Sequence, residues 1–120
     1  MRLWQDHLSH PSSIILYLSP EYTPDEPVAF LFAYPRRHAT SLRGGQKESL
    51  HIWIAGVLPK RRKEGCLARL INELDSNAFL TTCTNPTQFP DMWRWLTRRG
   101  WVVDQELGGG KVMLSKRASE

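Results

Sequence analysis

The chain has 120 residues, 41% of them hydrophobic and 23% charged, which suffices for one small core and argues against bulk disorder. No apolar run approaches the roughly 20 residues that cross a bilayer, and the N-terminus lacks the apolar stretch of a secretory signal. An intracellular, cytoplasmic protein with no membrane partner is expected. The net charge of +4 suits an anionic ligand or nucleic acid, and equally a small domain kept soluble by charge. The two cysteines, Cys66 and Cys83, have neither metal-site nor disulfide spacing, so no metal is expected.

Residues 1–10 place Leu3, Trp4 and Leu8 on one side of a short amphipathic helix that Pro11 ends. Residues 12–19 (SSIILYLS) read as a strand, and 20–27 as a loop with three prolines and the acids Glu21, Asp25 and Glu26. The next strand, 28–34 (VAFLFAY), is so apolar that cover on both faces is expected. Residues 35–48 are the most polar of the chain and read as a mobile loop.

The run 50–57 (LHIWIAGV) is a strand of β-branched and aromatic residues, and Leu67, Leu70, Ile71 and Leu74 recur at helical spacing. Between them lies a turn opened by Pro59, with the bases Lys60, Arg61, Arg62 and Lys63, that delivers Gly65 at the helix start. Unpaired amides of a first helical turn, the helix dipole and a bare glycine together favour phosphate. Residues 78–84 (AFLTTCT) read as a strand that Asn85-Pro86 breaks. A helix over 90–99 follows, stopped by Gly100, and then two strands, 101–107 and 111–115, around Gly108-Gly109-Gly110. Trp53 and Trp93 fall at core spacing, so the five tryptophans beside 16 Lys and Arg suggest packing more than nucleic-acid stacking.

Arg62-Lys63-Glu64-Gly65-Cys66-Leu67, after a strand ending Gly56-Val57-Leu58, resembles motif A (Q/R-x-x-G-x-G/A) of the GNAT superfamily of acyl-CoA-dependent N-acyltransferases. Leu67 stands at the final glycine or alanine. Trp95-Leu96-Thr97-Arg98-Arg99-Gly100-Trp101 is similar to the family's aromatic-Tyr-x-x-x-Gly-Phe ending, and the resemblance spans residues 12–115. It implies an α/β fold in a single domain, 1–120, with 1–11 and 116–120 peripheral. The sheet would be mixed and mostly antiparallel, with a parallel pair at the cofactor cleft and helices on both faces. The family's first strand and first helix find no counterpart before residue 12, so another copy of the chain, as in a homodimer, is one source of the missing cover.

The same resemblance implies an acetyl-CoA-dependent N-acetyltransferase acting on a primary amine of a small molecule or a protein lysine. Ala55, Gly56, Val57 and Leu58 would meet the pantetheine arm, with Asn85 beside it. Arg62, Lys63, Glu64, Gly65, Cys66 and Leu67 would hold the pyrophosphate. His51 falls where some family members keep a glutamate base, and an ordinary imidazole accepts protons near neutrality. Glu48 is a second candidate, acting through a water. The usual tyrosine acid falls at Leu96, which donates no proton. An acyl-CoA-binding protein without catalysis and a basic nucleic-acid-binding module remain alternatives.

Overall fold

The computed structural model describes residues 1–6, 13–62, 64–74 and 76–117. Seven strands and two helices follow in the order β1 (Arg2–Asp6), β2 (Ile14–Ser19), β3 (Ala29–Arg37), β4 (Glu48–Val57), α1 (Cys66–Asn72), β5 (Phe79–Thr84), α2 (Pro90–Arg98), β6 (Val102–Gly108) and β7 (Lys111–Arg117). They form one sheet in the order β1-β2-β3-β4-β5-β7-β6, mostly antiparallel with one parallel pair. The chain divides into two compact units, residues 1–35 with 52–75 and residues 36–51 with 76–120.

In the first unit, alternation along β2 and β3 puts Leu16, Leu18, Leu31 and Ala33 on one buried face. α1 packs against β2, and its Leu70 is fully buried. The opposite face carries Tyr17 paired with Phe30 and Ile15 paired with Phe32. Phe30 is 40% exposed, so the expectation that β3 is covered on both faces is corrected: one face is packed and the other is a partly open aromatic surface.

The helix expected over residues 1–10 is also corrected. Residues 2–6 form β1, antiparallel to β2, with Trp4 stacked on Tyr17 at 6.0 Å and its indole donating to Ser19 Oγ at 2.7 Å. A short isolated helix gains little against its nucleation cost, whereas an edge strand satisfies a waiting backbone ladder. A strand therefore does precede β2, and the remainder of the expected helix lies outside the described residues.

In the second unit β5 pairs with β7, and β7 with β6, burying Leu80, Met113 and Leu114 beside Phe79, Leu96 and Trp101. The polar stretch 35–48 is more ordered than expected. β3 continues through Pro35 to Arg37, His38 N–H donates to the Lys47 carbonyl, and a 3-10 turn spans Arg43–Gly45. Asp104 anchors that turn by accepting the Arg43 backbone amide, while Ser115 accepts from Arg43 Nε at 2.8 Å.

Candidate functional site

The end of β4 has a defect that no single-strand pattern reveals. Leu58 N–H donates to the Val28 carbonyl, and a β-carbon on Gly56 would lie 2.8 Å from the Phe30 ring, so Leu58 faces Val28 and Gly56 faces Phe30. One turn earlier along the ladder, the Trp53 and Phe32 rings meet edge to face at 5.6 Å. Backbone pairing sums to 86 at Leu58 and Val28 and to 85 at His38 and Lys47, so β4 carries one extra residue between Lys47 and Leu58. Such an insertion is a β-bulge, which bends the strand and leaves one residue out of the ladder. Trp53 and Ile54 are consecutive and both exposed, which agrees with the lost alternation. Trp53, expected in the core, is 66% exposed for this reason.

β4 leads into a 3-10 turn over Pro59–Arg61 and then to Gly65, which caps α1 with φ of +74°. That left-handed conformation suits glycine, and the space where its side chain would stand is open. The first bond of the helix runs from Arg69 N–H to the Gly65 carbonyl, so the amides of Cys66, Leu67 and Ala68 precede the ladder. The Glu64 amide is spent on the Arg61 carbonyl at 3.2 Å, which removes it from the expected phosphate cradle. Arg62 is exposed beside the turn, Arg61 pairs with Glu64 at the surface, and Lys63 lies outside the described residues. Cys66 is buried, and burial first, then the Glu64 charge, pushes its thiol pKa up, so it serves as packing.

In the second unit, β4 and its neighbours bury a polar chain. His38 Nε2 meets Ser49 Oγ at 2.8 Å, Ser49 Oγ meets Thr81 Oγ1 at 2.7 Å, and Thr81 Oγ1 meets His51 Nδ1 at 2.8 Å. The other ring nitrogen of His51 lies 3.3 Å from Arg36 Nη1. His51 is 3% exposed, and burial, with the Arg36 guanidinium next in weight, pushes its pKa down to about 4. His38 is shifted down by the same causes. His51 is thus buried and hydrogen-bonded with its pKa pushed down, which disfavours the expected role of a base that accepts a proton near neutrality. Glu48, by contrast, is exposed at the head of β4.

Asn85 is committed to the fold at both ends of its amide. Its Oδ1 accepts from the backbone amides of Thr87 and Gln88, and its Nδ2 donates to the Gly109 carbonyl at 3.2 Å. Asn85→Ala is expected to lower stability by about 1 kcal/mol, the usual cost of a lost turn cap, as read by urea denaturation. Leu96 is buried in the second unit. Among the described residues, no group of three His, Cys, Asp or Glu is placed to hold a metal, and no helix is long and apolar enough to cross a membrane.

No family model matches the sequence, and no curated protein matches it. Among solved structures the chain is similar to Arabidopsis thaliana NAA60, a GNAT N-acetyltransferase. With that protein in complex with a bisubstrate analogue the identity is 18% and the TM-score 0.66, over 88% of this chain and 75% of that one. With the same protein in complex with acetyl-CoA the values are 16% and 0.65, over 89% and 77%. The likeness is one of fold: this chain shares the mixed α/β fold of that protein.

Proposed function

We propose that the chain is an N-acetyltransferase that moves the acetyl group of acetyl-CoA to a primary amine. The observation that carries this reading is the succession of bulged β4, basic turn and left-handed Gly65 opening α1, in a fold shared with a protein solved with acetyl-CoA. The backbone of β4 at Ala55 to Val57 pairs with the pantetheine arm and polarises the thioester carbonyl on this reading, with the Leu58 amide held by the Val28 carbonyl. The amides of Gly65, Cys66 and Leu67 and the Arg62 side chain hold the pyrophosphate, with Lys63 next in the chain.

The amine must arrive as a free base. Its nitrogen attacks the carbonyl carbon, the C–N bond forms as the C–S bond breaks, and the thiolate leaves with a proton from water, because Leu96 donates none. Glu48, working through a water, takes the ammonium proton on this reading. An imidazole with a pKa near 4 is a poor proton acceptor, so His51 positions β4 through Thr81 and Arg36.

Release of free thiol from acetyl-CoA, followed with a panel of primary amines, tests the reading. Amine-dependent release above the buffer rate is expected, and Glu48→Gln should reduce it at least tenfold. Tight binding of acetyl-CoA with no release for any amine would favour the non-catalytic reading, which the buried Leu96 and the low pKa of His51 support.

A further inference from the structure

We propose that β1 is a self-pairing edge, and that the partner it fits is a second copy of this chain, joined antiparallel about a two-fold axis at Trp4. The pairing does not depend on acetyl transfer. β1 stands at one end of the sheet order, so among the described residues no strand lies on its outer side. The outward amides and carbonyls of such an edge form a ladder that another strand can complete. The edge is also ordered beforehand. β2 holds all five of its residues in register, Trp4 is stacked on Tyr17 with its indole bonded to Ser19, and Arg69 Nη1 of α1 donates to the Met1 carbonyl at 3.0 Å. A strand fixed in this way loses little further freedom when it pairs.

The sequence of β1 is complementary to itself. In an antiparallel ladder two opposed residues either both aim their backbone groups at each other or both aim them away. Two copies of one strand therefore pair only where the opposed residue numbers add to an even sum. The even register that uses all of β1 sets Arg2 against Asp6, Leu3 against Gln5 and Trp4 against itself. A guanidinium then opposes a carboxylate at both ends of the contact. Residues 2, 4 and 6 share one face of the strand, so both charge pairs flank the two indoles. Arg2 already lies on that face, its guanidinium 4.6 Å from the Trp4 ring. Opposite charges and facing aromatics are the cross-strand neighbours that favour pairing. The row formed by Phe30, Tyr17 and Trp4 would run on into its own copy.

β6, at the other end of the sheet order, lacks these features. It carries Asp104 and Glu106 and no base, so no register with its own copy sets an acid against a base. Its pairing with β7 is also interrupted by two register shifts. Bulges and unmatched charges are devices that protect an edge from pairing. β1 has a regular register and a matched charge at each end.

Sedimentation equilibrium of the whole chain, from about 10 μM to about 1 mM, reads the association. A monomer–dimer equilibrium is expected. Arg2→Glu or Asp6→Lys should weaken it about tenfold, and the two combined should return it to within about threefold of the parent, since the exchange restores both charge pairs. Cysteine substitution reads the register itself. Opposed α-carbons stand about 4.5 to 5.5 Å apart, within the span of a disulfide. Trp4→Cys should therefore cross-link two copies under mild oxidation, and Gln5→Cys should not, because residue 5 faces residue 3. A chain that stays monomeric at the highest concentration would overturn the proposal. So would single charge variants that dimerise like the parent, a combined variant no tighter than the single ones, or cross-linking of Gln5→Cys as fast as that of Trp4→Cys. A dimer that Trp53→Leu or Val103→Lys dissolves and Arg2→Glu leaves intact would place the contact elsewhere and overturn it as well.

Discussion

Thr81→Val is expected to destabilise the chain by about 2 to 4 kcal/mol, although the two side chains are nearly the same size. Thr81 is fully buried and its hydroxyl is the shared partner of Ser49 Oγ and His51 Nδ1. Valine fills the space and withdraws the hydrogen bond from two buried polar groups at once. Denaturant unfolding at pH 7 reads the effect, and a loss below about 0.5 kcal/mol would mean that the network contributes little.

The same network makes stability depend on pH in a defined window. The folded pKa of His51 is about 4, against 6.5 for the free side chain. Between those values the unfolded chain binds the extra proton, so stability rises with pH there and falls as the solution is acidified. The contribution is complete above pH 6.5 and is lost as pH approaches 4, a change on the order of 3 kcal/mol for this group. His38, shifted in the same direction, adds to the trend. His51→Asn, which keeps a polar group near Thr81 but does not titrate, should flatten the dependence. An unchanged slope would assign it to other groups.

Gly65→Val carries the second large expectation, a loss of at least tenfold in affinity for acetyl-CoA. At φ of +74° a β-branched residue is strongly disfavoured, and relief of that strain moves the amides that open α1. Crowding is not the cause, because nothing lies within 4 Å of the position a β-carbon would take. Asparagine tolerates the left-handed region, so Gly65→Asn should retain most of the affinity that Gly65→Val loses. Equal affinity in both variants and the parent chain would remove this turn from the site.

Most elements were legible in the sequence because their signals are local. The glycines at 65, 100 and 108–110 mark turns with positive φ, and the helical spacing after Gly65 and before Gly100 is real. The Asn85-Pro86 turn was equally legible, since an Asn side chain that accepts from amides two and three residues on is a short-range device. What escaped the sequence depends on partners far along the chain. β1 exists because β2 offers an edge, which no pattern within residues 2–6 announces. The exposure of Trp53 follows from one extra residue in β4, visible only against β3.

His51 shows the same limit at the site itself. Its residue type suits a base, but Arg36 and Thr81 meet its two ring nitrogens, and burial, with the Arg36 guanidinium next, lowers its pKa. A lowered pKa makes it a poor proton acceptor near neutrality. Pro35 within β3 and the order of the stretch after it are further cases, since pairing of His38 with Lys47 closes a loop that composition alone reads as mobile.

The central claim is that the turn from β4 into α1 binds acetyl-CoA, and calorimetric titration of the purified chain with acetyl-CoA tests it most directly. Saturable binding in the micromolar range, with one site per chain and abolished by Gly65→Val, is the predicted result. No heat of binding at millimolar acetyl-CoA would contradict the claim and leave the likeness to the N-acetyltransferases as one of fold alone.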